Sequence, residues 1–163
     1  MYCLAAAVAI GCSNGAVATS TAPPVFERYI GDGFSIAVPK TTGSEFRHTH
    51  DETPKIDFWQ AVLPGRPAFS VDVDSLPLEY QSLDGALRYP TVRYGLDYSD
   101  AERVLLPAGT AYRFERMRET GYGSDPVREV TFIFYRDGNS FNLTFGNMSP
   151  ELVAQIASSV ELS

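Results

Sequence analysis

The chain's two histidines stand together in Arg47-His48-Thr49-His50-Asp51-Glu52. On a strand, alternate side chains share a face. His48 and His50 would then form a pair of imidazoles able to ligate a metal, with Asp51 or Glu52 adding an oxygen. A zinc centre takes about three or four protein ligands, and no His or Cys follows His50 in the sequence. The segment therefore reads first as an exposed, polar strand end. Metal binding through His48, His50 and Asp51 is the competing reading. A second oxygen pair, Asp72-x-Asp74, would suit a hard cation together with Ser70 or Glu79. The run lacks the glycine and the successive oxygens of a calcium loop. Alternating acids on the wet face of a strand are the simpler account.

Nucleophilic chemistry finds less support. No Gly-x-Ser-x-Gly elbow, His-Glu-x-x-His pair or Gly-x-x-x-x-Gly-Lys loop occurs. A Ser-His-Asp arrangement would have to use His48 or His50, and no serine carries a supporting motif. Both cysteines, Cys3 and Cys12, precede the body of the chain, which leaves no thiol for catalysis and no disulfide across the domain. No catalytic residue and no cofactor are assigned. Four tyrosines, Tyr80, Tyr89, Tyr94 and Tyr98, gather in one stretch. Aromatic rings with a polar tip suit a binding surface, and they suit the half-buried edge of a small core equally well.

Bulk properties narrow the partners. A chain of 163 residues, 44% hydrophobic and 20% charged, has the length and composition of one globular domain. The net charge of −7 with scattered cations argues against a nucleic-acid groove, which needs a basic stripe. It argues equally against a polybasic grip on anionic lipid.

The opening residues carry an address. Leu4–Ile10 (LAAAVAI) is apolar but far shorter than the roughly 20 residues of a membrane span. It fits the apolar region of a signal peptide. Ala9-Ile10-Gly11-Cys12 resembles a bacterial lipobox, although Ala9 stands where leucine is usual. The resemblance implies that Cys12 becomes the lipidated N-terminus after removal of residues 1–11. The missing positive segment is expected upstream of Met1. Residues 12–24 continue as SNGAVATSTAPP after the cysteine, which is tether composition. Two acyl chains on one cysteine hold a protein stably at a membrane. The expected location is the extracytoplasmic face of a bacterial cell membrane.

From Val25 onward the pattern is short strands. VFERYI and FSIAVP flank Gly31-Asp32-Gly33 as a hairpin, with Phe34, Ile36 and Val38 on one face. KIDFWQAVLP carries the only tryptophan, Trp59. AFSVDVDS alternates Phe69, Val71 and Val73 against Ser70, Asp72 and Asp74. Ser82–Tyr89 predicts a short helix capped by Ser82 and stopped by Pro90. ERVLL and TAYRFERMRE predict a hairpin across Pro107-Ala108-Gly109. REVTFIFYRDGNSFNLTF predicts two strands meeting at Asp137-Gly138-Asn139. SPELVAQIASSVEL predicts a helix with Ser149 as cap and an apolar stripe of Leu152, Val153, Ile156 and Val160.

That order of elements, with GFSIAVP, LLPAGTAYRF and FIFYRDGNSFNLTF running into SPELVAQIASSVEL, resembles the PsbP-like superfamily, notably its LpqN-type bacterial lipoproteins. The resemblance covers residues 25–163. It implies an α+β domain built on a single antiparallel sheet with helices on both faces, an α/β/α sandwich. It also implies a non-catalytic binding or scaffolding role, but no partner. With the anchor on Cys12, the expected partner is an envelope protein, lipid or glycan, and the charge balance leaves out nucleic acid. No site residue carries over from the family.

Overall fold

Phe34, Ile36 and Val38 are buried while Ser35 and Ala37 between them are only half-buried, so the first hairpin lays one face on the core. Its strands are β1 (Phe26–Ile30) and β2 (Phe34–Pro39), joined where Gly33 adopts φ +75°. The computed structural model of the chain describes residues 24–40, 45–52, 55–62, 68–119 and 125–163, with residues 45–52, 55–62 and 68 described by backbone alone. Next come β3 (Glu45–Glu52), β4 (Lys55–Val62) and β5 (Ala68–Ser75), an antiparallel meander. After a 3-10 turn at Leu78–Tyr80 follow α1 (Leu83–Tyr94), β6 (Glu102–Leu106), β7 (Gly109–Arg118), β8 (Val127–Arg136) and β9 (Asn139–Gly146). Then come α2 (Pro150–Ser158) and a two-residue strand, β10 (Glu161–Leu162).

These strands build two antiparallel sheets, where a single sheet was expected. One has the order β1-β2-β10 and the other β3-β4-β5-β9-β8-β7-β6. Alternation in FSIAVP reveals which face of β2 is buried but not which strand lies beside it. Here β2 pairs with β1 and β10, and its buried face packs on the larger sheet. Phe34, Ile36 and Val38 join Phe69, Val71, Phe132, Phe134, Phe141, Leu143 and Phe145 in one cluster. Val153, Ile156 and Val160 from α2 and the turn after it complete that cluster. The β8–β9 register sets Phe134 opposite Phe141 and Phe132 opposite Leu143, as the sequence pattern requires.

Two helix expectations need correction. α1 does not stop at Pro90 but runs through it to Tyr94. Proline removes one helical hydrogen bond and crowds the preceding turn. Here the ring is buried, and capping holds both ends. Ser82 Oγ accepts from the Gly85 N–H at 2.9 Å, and Gly95, at φ +67°, donates to the Thr91 carbonyl at 3.0 Å. The second helix is shorter than its sequence stripe. It ends at Ser158, and the remaining residues turn into β10. Ser159 holds this turn. Its Oγ accepts from the Ala37 N–H at 2.9 Å and lies 2.7 Å from the Ile156 carbonyl oxygen.

Candidate functional site

The outer face of the large sheet carries α1, packed on β7, β8 and β9, and toward β5 that face changes from apolar to polar. β5 and β9 pair with Asp72 opposite Asn142, Asp74 opposite Ser140 and Ser70 opposite Thr144. Directly opposed residues share a face, about 5 Å apart across the strands and about 7 Å apart along them. β8 extends these rows with Ile133, Tyr135 and Thr131. The Thr131 and Thr144 hydroxyls meet at 3.2 Å. α1 covers the apolar end through Ala86, which packs with Leu76, Phe114 and Ile133. The position of α1 follows from close packing at its start. A side chain on Gly85 would meet the Tyr80 carbonyl oxygen at 2.2 Å.

Three buried oxygens on this polar patch have no hydrogen-bond partner among the described residues: Asp74 Oδ1, Ser140 Oγ and Asn142 Oδ1. Asp74 is 5% exposed and Ser140 0%, whereas Asp72 and Asn142 are half-buried. Asp74 and Ser140 are thus the more enclosed pair, although the Asn142 Oδ1 atom is buried as well. Its electrostatics are unusual for a strand. Burial, reinforced by the charge of Asp74, pushes the Asp72 carboxyl up from 3.8 to about 7. Burial raises Asp74 as well, with Arg93 acting against it. The hydroxyls of Tyr94 and Tyr98 are raised chiefly by burial, and both aspartates add to it.

The α1 C-terminus and the loop after it supply the walls. The Arg93 guanidinium donates to the Tyr89 hydroxyl and lies 5.5 Å from the Tyr89 ring centroid and 5.1 Å from that of Tyr94. Tyr98 stacks on Phe114 at 4.2 Å. Farther along β7 and β8, buried Glu129 accepts from Arg116 Nε at 2.9 Å and Arg118 Nε at 3.0 Å. On the opposite side of the molecule a cleft of about 300 Å³ is lined by Arg28, Arg136, Ser159 and Glu161, among others. There Arg28 is bridged to Glu161 at 2.8 Å.

The structure thus corrects the reading of Asp72 and Asp74 as acids on a wet strand face. Alternation distinguishes two faces, but the face opposite the core is not open at β5: Asp74 is buried there and Asp72 half-buried. The structure also brings Tyr94 and Tyr98 of the tyrosine stretch near these aspartates, while Tyr80 and Tyr89 pack on each other. Ser140, Asn142 and Arg93 join the site with no signal of their own in the sequence. Their neighbourhood depends on the pairing of β5 with β9, across about seventy residues of chain. The histidine segment forms β3 at the edge of the large sheet. His48 registers opposite Trp59, His50 opposite Asp57 and Asp51 opposite Ile56, and the side chains of these residues lie outside those described. Among the described residues, no group of three or more His, Cys, Asp or Glu could hold a metal ion. Cys12, residues 1–11 and the tether up to residue 23 lie outside the described residues. Among the described residues no helix is long and apolar enough to cross a membrane.

No protein-family model matches the sequence, and no curated protein matches it. Solved structures do. The solution structure of cyanobacterial PsbP (CyanoP) from Synechocystis sp. aligns with 94% of this chain and 99% of that one, at TM-score 0.59 and 16% identity. A crystal structure from Bacteroides thetaiotaomicron aligns with 83% of this chain at TM-score 0.56 and 14% identity. The chain spans about half of that protein, 48% of its length. The fold is PsbP-like.

Proposed function

We propose that the chain is a non-catalytic binding or scaffolding domain of the LpqN-type lipoprotein branch. In this reading a lipid on Cys12 holds it at the extracytoplasmic face of a bacterial cell membrane. The partner is another envelope component, a protein, a lipid or a glycan. The observation that carries the reading is the PsbP-like fold of the described residues, since the superfamily that the sequence resembles acts mostly by docking. Ala9-Ile10-Gly11-Cys12 and the small, proline-ended tether after it support the anchor. The aspartate–tyrosine patch beside α1 supplies the docking chemistry, because aromatic side chains with polar tips and half-buried charges favour recognition.

The anchor is tested by intact mass after expression with the upstream coding region in a bacterial host, for the wild type and Cys12→Ser. The expected result is a mature chain starting at Cys12 with added acyl mass, found in the membrane fraction and lost in the serine form. An unmodified, uncleaved chain in both forms overturns the reading.

A further inference from the structure

Two oxygen-bearing residues of β5 and two of β9 form a four-cornered patch on one face of the sheet: Asp72 opposite Asn142, and Asp74 opposite Ser140. Three of its oxygens, Asp74 Oδ1, Ser140 Oγ and Asn142 Oδ1, are buried and lack hydrogen-bond partners among the described residues. Leaving such groups unpaired is costly, and native interiors pair nearly all of them. We propose that this patch receives a primary ammonium group, the end of a lysine side chain or of a free alkylamine.

The donor count fits. An alkylammonium offers three N–H donors and no acceptor, equal in number to the three orphaned oxygens. The charge fits as well, because the cation meets a carboxylate pair in a half-buried setting where Coulomb attraction is stronger than in water. Tyr94 and Tyr98 stand close enough to both aspartates to feel their charge, and aromatic rings beside a cation add cation–π attraction. The protein's own nearby cation, Arg93, is engaged with Tyr89 and Tyr94. A divalent metal fits less well. Calcium takes about six to eight oxygens, and no third acidic residue joins the pair among the described residues.

This inference names the ligand chemistry of the site in the binding reading, and it is independent of the Cys12 anchor. The full chain carrying Cys12→Ser is titrated at pH 8 with n-butylammonium chloride while amide resonances are followed. N-acetyl-lysine methylamide forms a parallel arm. Tetramethylammonium chloride at equal ionic strength, which has the charge without N–H donors, is the control, and calcium chloride is a further arm.

The expected result is saturable shifts with n-butylammonium at Asp72, Asp74, Ser140 and Asn142, absent with tetramethylammonium. Affinity should fall at least tenfold in Asp74→Asn or Ser140→Ala. If Asp74→Asn fails to fold, Ser140→Ala and Asp72→Asn decide the matter. Tighter binding of the lysine derivative than of butylamine assigns the group to a peptide source, and the reverse order to a free amine. No localised shift with either amine, equal shifts with tetramethylammonium, or a response to calcium alone overturns the proposal. A failed mass test with a positive amine titration would remove the anchor and leave the site standing.

Discussion

Replacing Asp72 by asparagine should make the protein more stable at pH 8 while changing little at pH 4. In the folded chain the Asp72 carboxyl is held up to about 7 by burial and by Asp74, against an ordinary value of 3.8. The folded state therefore keeps a proton that the unfolded chain has released. Because the folded value is the higher one, unfolding free energy falls as pH rises from about 4 through about 7. At about 1.4 kcal/mol per pH unit the full span amounts to about 4 kcal/mol. Asparagine has nearly the same shape and no charge to desolvate. Asp72→Asn should match the wild type within about 1 kcal/mol at pH 4 and exceed it by about 2–4 kcal/mol at pH 8. The carboxyl lies opposite Asn142 on β9 and close enough to Asp74 on β5, Tyr94 on α1 and Tyr98 after it to interact with them electrostatically, while Arg93 acts on Asp74. Asp74 is raised too, so the variant keeps part of the pH slope. The assay is urea unfolding followed by circular dichroism at pH 4, 6 and 8 for both proteins. A wild-type-to-variant difference that stays constant across that range, or a variant less stable at pH 8, would refute the reasoning.

Two further substitutions probe how the site is positioned. Gly85→Ala improves helix propensity by about 1 kcal/mol. Yet the new methyl would sit 2.2 Å from the Tyr80 carbonyl oxygen, which is backbone and cannot swing away. A net loss of about 2 kcal/mol is expected in chemical unfolding, with perturbed resonances at Tyr89 and Arg93, and a stabilised variant would contradict the packing of α1 against the turn. Ser159→Ala removes the hydroxyl that clasps Ala37, leaving a strand N–H short of its partner. It should cost about 1–2 kcal/mol and speed hydrogen exchange at Ala37, and unchanged exchange there would argue against the clasp.

What the sequence made legible was local. The β1–β2 turn, the Asp137-Gly138 hairpin with both residues at positive φ, and the Ser82 and Ser149 caps each depend on neighbours a few positions away. The long-range features were not legible in the same way. Nothing in FSIAVP says that β2 will take β10 as its second neighbour, because alternation encodes a face and not a partner. Nothing in SVDVDS says that Asp74 will be buried. Pro90 misled because a helix anchored at both ends and packed along one side tolerates the loss of one hydrogen bond. The patch was half visible: the acids and the tyrosines stand out in the chain. Ser140 and Asn142 are ordinary strand residues until the β5–β9 register sets them opposite Asp72 and Asp74.

The pairing of β2 with β10 also bears on how the domain comes to fold. Ser35 and Glu161 are 126 residues apart, yet they meet in one ladder and share a hydrogen bond. Contacts that close so long a stretch of chain are slow to form, since their loop entropy is spent before they return anything. A nascent chain emerging N-terminus first has its opening hairpin available early, with one edge of β2 waiting for residues made far later. During that interval the edge offers unpaired backbone to any passing strand. Completion of the small sheet, and with it escape from that exposure, comes only once Glu161 and Leu162 have emerged.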